Sequence, residues 1–335
     1  MRCGSVGWPG IHSTTKYARE TSLLRRTRQR RALQGAGVPH VPPEGGRKVG
    51  VIKDSGLPPP VVILCGGRGT RLGADTDILP KPLVTVGGRP ILWHIMSHYA
   101  SFGLNRFILC LGYKGDQIRE YFLNYRLQSN DFTIQLDGGE PTVVSHLTDV
   151  IDWEVTCSDT GQDAQTGARI KRIEKYVDTP YFLCTYGDGV SDVDISRLID
   201  FHTAHGRAAT VTGVHPPARW GELVLGDDAA VSGFSEKPAQ MPRAGGGAYV
   251  NGGFFVFNRE LFDYVWPDDD CVLEQAPLER LAAEDQLRIF RHDGFWQCMD
   301  VPKDRDMLND LFSGSEGPLP RAAGNGTGST SLVGR

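Results

Sequence analysis

The chain has 335 residues, enough for one large domain or two of ordinary size. Hydrophobic residues make up 40% and charged residues 23%, as in a globular enzyme, and no stretch approaches the roughly 20 apolar residues that a membrane span needs. The net charge of −4 is unevenly distributed, because residues 1–57 hold 11 of the 36 basic residues but only 3 of the 40 acidic ones. That segment therefore carries +8 and the remainder of the chain −12.

The basic N-terminal segment, residues 1–57, contains the run RRTRQRR at 25–31 and few apolar runs. No apolar stretch of signal-peptide length follows the arginines, so a secretory signal fits poorly. Glycines and prolines over residues 35–60 also disfavour the helix of a mitochondrial transit peptide. We predict a disordered leader, or a start codon placed too early. Attraction to nucleic acid or to a membrane surface is the alternative, but no useful aromatic pattern accompanies the arginines, so neither partner is expected.

From residue 60 onward, short apolar runs alternate with helical patterns. VVILC (61–65), FILCLGY (107–113), YFLCTYGDG (181–189) and AATVTGVH (208–215) predict strands, and the continuous apolar runs are typical of strands buried on both faces. PILWHIMSHYASFG, GDQIREYFLNY and DISRLIDFHTAHG predict helices, the first ending at Gly103 and the third at Gly206. This alternation predicts an α/β fold with a doubly wound, mostly parallel, Rossmann-like sheet.

The pattern changes after residue 216, where ELVLG, VSGFSEKP and NGGFFVFN suggest a smaller antiparallel region around a substrate face. A short helix is expected after Asp300, ending near Phe312. Residues 313–335 are rich in Gly and Ser and predict a disordered tail. We therefore expect one catalytic domain over residues 58–312.

Cysteine usage indicates a reducing compartment. The seven cysteines, at positions 3, 65, 110, 157, 184, 271 and 298, form no CxxC pair and show no metal-ligand spacing. Cys65, Cys110 and Cys184 lie inside apolar runs, which is typical of small buried thiols. We expect a cytoplasmic protein without a disulfide framework.

A glycine-rich turn, GGRGTR at 66–71, follows the first predicted strand. In open α/β sheets, ligands bind beyond the carboxyl ends of the strands, and glycines let backbone N–H groups approach phosphates. Arg71 adds a side chain suited to charge-assisted contacts with phosphate. The turn is neither a dinucleotide fingerprint, since Leu72 stands where the third glycine is needed, nor a Walker A loop, since no GK[ST] follows. Taken alone, it is equally consistent with a turn that binds nothing.

Two further segments carry charged residues that such a turn would need. In Pro80-Lys81-Pro82 the prolines predict an extended backbone that holds the lysine at a fixed place. Asp188 follows a predicted buried strand within Tyr-Gly-Asp-Gly, where the glycines leave room for a metal-bound phosphate. Mg²⁺ binds through one or two carboxylates together with substrate oxygens and waters. Asp192 and Asp194 are interpreted as solvated residues or caps of the following helix.

Two histidine pairs have a weaker functional case. His94 and His98 lie four residues apart on a predicted helix, a spacing that zinc sites use, but no third ligand accompanies them. A partly buried helix face is the favoured interpretation. The same interpretation applies to His202 and His205.

The motifs together resemble a known family. G-G-x-G-T-R-L followed by P-K-P is similar to the pattern of sugar-nucleotide pyrophosphorylases. The segments GYKGDQIREYFLNY, DTGQDAQTGARIKR, FLCTYGDGVSDVDI, GFSEKP, NGGFFVFN and GFWQCMD resemble, in order, the glucose-1-phosphate cytidylyltransferases over about residues 60–310. The resemblance implies a nucleotide-diphospho-sugar transferase fold, with transfer of a cytidylyl group from CTP to glucose 1-phosphate. It also implies Mg²⁺ as cofactor and a homo-oligomeric enzyme.

The resemblance also assigns roles to individual residues. It makes Arg71, Lys81 and Asp188 catalytic and places Mg²⁺ on Asp188 and Asp300. Residues expected to bind CTP are Leu64, Cys65, Gly66, Gly67, Arg68, Gly69, Thr70, Arg71 and Lys81. Further substrate contacts are expected from Ala164, Arg169 and Gly187, with Glu236, Lys237, Asn251 and Gly252 around the sugar phosphate.

The chain departs from the family pattern at three positions, where Ala164 replaces a usual Ser, Cys298 a usual Pro, and Arg68 an apolar residue. None of these changes removes a predicted charge or metal ligand. Two alternatives stay open: the same reaction with dTTP, UTP or GTP and a related sugar 1-phosphate, or a noncatalytic paralogue that senses a nucleotide sugar. The presence of Lys81, Asp188 and Asp300 favours an enzyme.

Overall fold

The computed structural model describes residues 57–136, 142–146, 151–216, 222–225, 231–235 and 249–313. Its helices are α1 (Ala74–Ile78), α2 (Ile91–Ser101), α3 (Gly115–Leu123), α4 (Tyr125–Ser129), α5 (Thr166–Arg172), α6 (Ile195–His205), α7 (Ala276–Ala283) and α8 (Pro302–Ser313). Its strands are β1 (Val61–Cys65), β2 (Thr85–Val86), β3 (Arg89–Pro90), β4 (Arg106–Leu111), β5 (Asp131–Gln135), β6 (Thr142–His146), β7 (Glu154–Asp159), β8 (Tyr181–Tyr186), β9 (Gly189–Ser191), β10 (Ala209–Val214), β11 (Glu222–Leu225), β12 (Val231–Ser235), β13 (Val250–Asn251), β14 (Phe255–Asn258), β15 (Leu287–His292) and β16 (Trp296–Cys298).

A mixed, mostly parallel sheet of eight strands forms the centre of the fold. β7, β4, β1 and β8 lie side by side in parallel. β14 follows β8 in antiparallel orientation, and β10 follows β14, again antiparallel. β13 also pairs with β10, and β15 pairs with β10 in parallel. The predicted α/β fold with a mostly parallel sheet is confirmed.

The region after residue 216 is only partly the separate antiparallel unit that the sequence suggests. β11 and β12 form a two-stranded antiparallel hairpin, as expected. The segment NGGFFVFN, in contrast, supplies Asn251 of β13 and all of β14 to the central sheet. Its Phe255, Val256 and Phe257 have no exposed surface, which explains the difference, because a strand apolar on both faces belongs between two layers.

The core lies on both faces of this sheet, and β1 shows why its sequence is continuously apolar. Val61 and Ile63 pack on one face with residues of α2 and α6. Val62 and Leu64 pack on the other face with residues of α5 and α7. Since side chains alternate along a strand, an unbroken apolar run can fill two layers at once.

Local signals set the helix ends as predicted. α2 ends two residues before Gly103, whose φ of 82° is a left-handed conformation that glycine adopts readily. α6 begins after Asp194, whose carboxylate accepts the Arg197 N–H at 3.0 Å, and it ends at Gly206. Within the described ranges, no helix is both long and apolar enough to cross a membrane.

The hairpin of β5 and β6 lies apart from the central sheet, and the two strands pair with each other. Phe132, Ile134 and Val143 are each more than 40% exposed. Residues 1–56 of the predicted leader (1–57) and residues 314–335 of the predicted tail (313–335) lie outside the described residues.

Candidate active site

The glycine-rich turn opens a cavity at the carboxyl ends of β1 and β8. The cavity has a volume of about 360 Å³. Asp188, a predicted catalytic residue and metal ligand, lines it together with most of the predicted substrate-binding residues: Leu64, Cys65, Gly66, Gly67, Arg68, Gly69, Thr70, Arg71, Lys81, Ala164, Arg169 and Gly187. The structure thus gathers residues from three distant segments of the chain around one space, at the edge where ligands bind in sheets of this kind.

Glycine at position 187 allows the ends of β1 and β8 to lie close together. A Cβ atom there would lie 2.9 Å from the Leu64 carbonyl oxygen and 3.2 Å from both Cys65 Sγ and Pro82 Cγ. Instead, the Gly187 N–H donates to that Leu64 oxygen at 3.0 Å. Asp188, the next residue, is therefore held beside the glycine-rich turn.

Lys81 forms the charged centre of the site. Its Nζ lies 2.6 Å from Asp188 Oδ2 and 2.8 Å from Asp300 Oδ1, and its side chain is 12% exposed. Burial opposes the charge on Lys81, but the attraction and hydrogen bonds of the two carboxylates outweigh burial and raise the pKa of the ammonium above its usual value. Arg71 Nη1 lies 3.3 Å from Asp300 Oδ2, and the Arg71 side chain is mostly exposed.

The backbone around Lys81 differs from the extended stretch that the two prolines predict. Pro80 is extended, but Lys81, Pro82 and Leu83 form a single 3-10 turn. The Leu83 N–H donates to the Pro80 carbonyl at 2.8 Å, and the Val84 N–H to that of Lys81 at 3.1 Å. The turn buries Pro82 and Leu83 and leaves the lysine side chain directed at the carboxylates.

Asp300, which has no strong local signal, reaches the site through a short strand pair. β16 pairs with β9 in antiparallel orientation and places Cys298 opposite Gly189. The Met299 N–H then donates to the Asp188 carbonyl at 2.9 Å. Asp304 accepts the Asp300 and Val301 N–H groups at 2.9 and 3.0 Å, ahead of the first turn of α8. Position 300 is thus fixed from both sides.

The donor set fits a magnesium ion. The Asp188 and Asp300 carboxylates converge on one point, where the Lys81 ammonium lies. Among the residues that the structure describes, no group of three or more His, Cys, Asp or Glu could hold a metal ion. Two carboxylates suffice for Mg²⁺ when phosphate oxygens and water complete its shell.

Arg169 lies beneath the glycine-rich turn and is almost fully buried. It donates to the carbonyl oxygens of Gly66 at 3.2 Å, Leu111 at 3.0 Å and Gly161 at 2.7 Å, and it also bonds Thr160 Oγ1 and the Gln162 carbonyl. Burial lowers the pKa of its guanidinium. The geometry gives Arg169 a supporting position under the turn, and its contact with substrate stays a prediction.

Of the remaining predicted residues, Asn251 and Gly252 lie within the described ranges. Asn251 Nδ2 donates to the Tyr186 hydroxyl at 3.0 Å, and the Gly252 carbonyl accepts the Trp296 indole N–H at 2.8 Å. Arg68 pairs with Asp163 at 2.9 Å across exposed surface. Glu236 and Lys237 lie outside the described residues.

Several cavity residues were not predicted: Pro82, Gln165, Thr166 and Tyr186. Behind two of them lies Glu274, which accepts from the Tyr186 hydroxyl at 2.5 Å and from Thr166 Oγ1 at 2.6 Å. Tyr186 directly precedes Gly187 and Asp188, so its position at a strand end was a usable signal. No local pattern marks Glu274.

The histidines and cysteines match the expectation of structural roles. His94 and His98 are buried, and their Nε2 atoms lie 2.8 and 2.9 Å from the carbonyl oxygens of Val86 and Val193. His202 and His205 both contact Thr210 Oγ1. The six described cysteines are free thiols, and burial raises the pKa of Cys65 well above its usual value.

The chain is similar to proteins of a known family. The nucleotidyl transferase family model matches residues 60–297. Glucose-1-phosphate cytidylyltransferase of Salmonella typhi is 46% identical over 258 residues, covering 77% of this chain and 97% of the relative. A Bacillus subtilis protein named "probable glucose-1-phosphate cytidylyltransferase" is 41% identical over 252 residues, covering 75% and 95%.

A solved structure supports the fold independently. HddC from Yersinia pseudotuberculosis superposes with a TM-score of 0.51 at 24% identity, covering 76% of this chain and 99% of that one. At this identity the similarity concerns the fold alone. The family model and the two relatives above lead to one conclusion: the chain belongs to the nucleotidyl transferase family, and its relatives at 41–46% identity are named as glucose-1-phosphate cytidylyltransferases.

Proposed function

We propose that this protein transfers the cytidylyl group of CTP to α-D-glucose 1-phosphate, which gives CDP-glucose and pyrophosphate. The convergence of Lys81, Asp188 and Asp300 beside the glycine-rich turn carries the proposal, because it supplies a cation and metal ligands where a triphosphate would lie. The choice of CTP and glucose 1-phosphate is supported by the names of the relatives at 41–46% identity.

The reaction is a direct, in-line displacement at the α-phosphorus of CTP. An oxygen of the sugar 1-phosphate attacks the α-phosphorus of CTP, and the bond from that phosphorus to the bridging oxygen of the β-phosphate breaks. Pyrophosphate leaves with the bonding electron pair, so no covalent enzyme intermediate is needed. Catalysis then depends on holding two polyanions in line and on neutralising the charge that develops between them.

We expect the chain's own groups to perform both tasks. The backbone N–H groups of residues 66–70 would face the CTP phosphates, with Arg71 and Lys81 adding positive charge. Ala164 and Gly187 would contact the nucleotide, and Glu236, Lys237, Asn251 and Gly252 would surround the sugar phosphate. When bound by Asp188 and Asp300, Mg²⁺ would neutralise triphosphate charge and help to polarise the α-phosphate.

A nucleotide panel tests the proposal. The purified full-length chain is incubated with glucose 1-phosphate, Mg²⁺ and CTP, dTTP, UTP or GTP in turn, and pyrophosphate release is measured. The proposal expects CTP to give the highest kcat/KM. A higher value with another nucleotide would assign a different base specificity, and no release with any of them would favour the nucleotide-sugar-sensing paralogue.

We also propose that the enzyme is a homo-oligomer in a cytoplasmic setting. The hairpin of β5 and β6 supports the first part, because Phe132, Ile134 and Val143 expose an apolar face. A two-stranded hairpin is marginally stable by itself in water, so cover from a second copy would stabilise it. Light scattering after gel filtration should show an oligomer for the wild type and a smaller species for Ile134→Lys. A monomeric wild type would refute this assembly.

A further inference from the structure

The carboxylate of Glu274 lies behind the cavity and bonds two side chains that line it. Glu274 Oε1 accepts the Tyr186 hydroxyl at 2.5 Å, and Oε2 accepts the Thr166 hydroxyl at 2.6 Å. Bonds to an ionised acceptor are shorter and stronger than bonds between neutral groups. Each carboxylate oxygen thus orients one hydroxyl at the cavity wall.

The bond from Tyr186 determines how Asn251 is oriented. A phenol has one hydrogen, and because Tyr186 donates it to Glu274, its oxygen is left to accept from Asn251 Nδ2 at 3.0 Å. Asn251 Oδ1 in turn accepts the Gly253 N–H at 2.9 Å. Burial, together with the charge of Glu274, raises the pKa of Tyr186, which keeps the phenol a donor. The Asn251 amide is therefore held with a defined oxygen and nitrogen side.

The hydrogen bond from Thr166 connects the Glu274 carboxylate to the part of the site where we propose that the nucleotide binds. The Thr166 hydroxyl accepts the Leu273 N–H at 2.9 Å, so its own hydrogen is directed at Glu274. Thr166 is the first residue of α5, the helix that carries Arg169 beneath the glycine-rich turn. One carboxylate thus connects the end of β8, β13 and the start of α5.

We infer that Glu274 is a positioning residue for the sugar 1-phosphate: it fixes the Tyr186 hydroxyl and, through it, the Asn251 amide. The inference rests on the proposed function, in which Asn251 lies at the sugar phosphate. In Glu274→Gln, one carboxylate oxygen becomes an NH₂ group, which donates and cannot accept. One of the two hydroxyls must then turn away, and if it is that of Tyr186, the orientation of Asn251 is lost.

The test separates the two substrates kinetically. For Tyr186→Phe, and for Glu274→Ala, in which neither hydroxyl keeps its acceptor, KM for glucose 1-phosphate should rise about tenfold, the factor expected from one hydrogen bond to a charged group. KM for CTP should stay within about twofold of the wild type, because the groups facing the CTP phosphates are unchanged. A surface pair provides the matched control, since the Tyr264 hydroxyl donates to Glu284 at 2.6 Å on an exposed helix end. Tyr264→Phe and Glu284→Ala should leave both KM values unchanged.

Two results would overturn the inference. The first is a parallel rise of both KM values in Glu274→Ala, which would indicate general loosening of the cavity. The second is unchanged kinetics in Tyr186→Phe, which would show that the tyrosine hydroxyl does not position Asn251. This second result is sufficient by itself if Glu274→Ala does not fold. A wild-type enzyme that makes no CDP-glucose would instead refute the proposed function, so the two failures are distinguishable.

Discussion

Replacing Lys81 by Met removes the cation between two carboxylates and leaves most of the side-chain volume in place. Asp188 and Asp300 each keep a carboxylate oxygen directed at the vacated point, with side-chain exposures of 28% and 16%. Arg71 still lies 3.3 Å from Asp300 Oδ2, but its side chain is 72% exposed, so it stabilises the negative charge of Asp300 only weakly. The variant should therefore be less stable than the wild type at neutral pH.

The magnitude follows from the burial of the two acids. Breaking a fully buried ion pair costs about 3–5 kcal/mol, and partial solvation of both carboxylates reduces this to about 2 kcal/mol here. For a domain of this size, that loss lowers the Tm by about 4–8 °C. Because the folded pKa of Lys81 is raised above 10.5, its contribution is fully present below that pH and is lost as pH rises through the raised value. The difference between variant and wild type should thus be constant from pH 7 to 9.

Thermal unfolding with and without Mg²⁺, in the absence of nucleotide, provides the assay. In Lys81→Met the ammonium no longer lies between the two carboxylates, so millimolar Mg²⁺ should recover much of the lost Tm, whereas the wild type should shift far less. Lys171→Met is the control, since Lys171 pairs with Glu174 at 2.9 Å away from the cavity, and Mg²⁺ should not change its Tm. Equal Mg²⁺ shifts in wild type and Lys81→Met would refute the reasoning, as would a variant as stable as the wild type.

Three further outcomes are expected. Gly66→Ala should destabilise the fold by about 2 kcal/mol in chemical denaturation, because the added Cβ would lie 2.1 Å from Arg169 Cζ. Gly67→Ala is the control and should be nearly neutral, because no atom lies within 4 Å of a Cβ added there. Equal losses of stability in the two variants would contradict this. Burial lowers the pKa of His98 to about 4, so its stabilising contribution is present above pH 6.5 and is lost as pH falls toward 4. Between pH 6.5 and 4.5 the free energy of unfolding should fall by about 2 kcal/mol more in the wild type than in His98→Asn. Parallel pH profiles of the two proteins would exclude His98 as the cause. Deleting residues 1–57, or changing any arginine within 25–31, should leave kcat/KM nearly unchanged, whereas Lys81→Ala should lower it at least about 100-fold; equal effects would overturn the site assignment.

Local sequence determined much of the scaffold. The apolar run of β1 filled two layers, Gly103 and Gly206 marked helix ends, and the glycine-rich turn fell at a strand end, as predicted. These features depend on a few adjacent residues, whose conformational preferences and side-chain alternation are set by short-range sterics. The same reasoning identified Lys81 and Asp188 as candidates, because each stands within a short, unusual motif.

Tertiary structure alone decided which of these groups meet. Lys81 lies 107 residues from Asp188 and 219 from Asp300, and their contact depends on the pairing of β9 with β16 and on the close approach of β1 and β8 at Gly187. The insertion of β14 into the central sheet, the position of Arg169 beneath the turn and the contacts of Glu274 arise in the same way. Strand pairing and packing join residues that share no local pattern, and the energy of such contacts is absent from any single segment. The sequence therefore determined the parts of the site, and the packing of the sheet determined their arrangement.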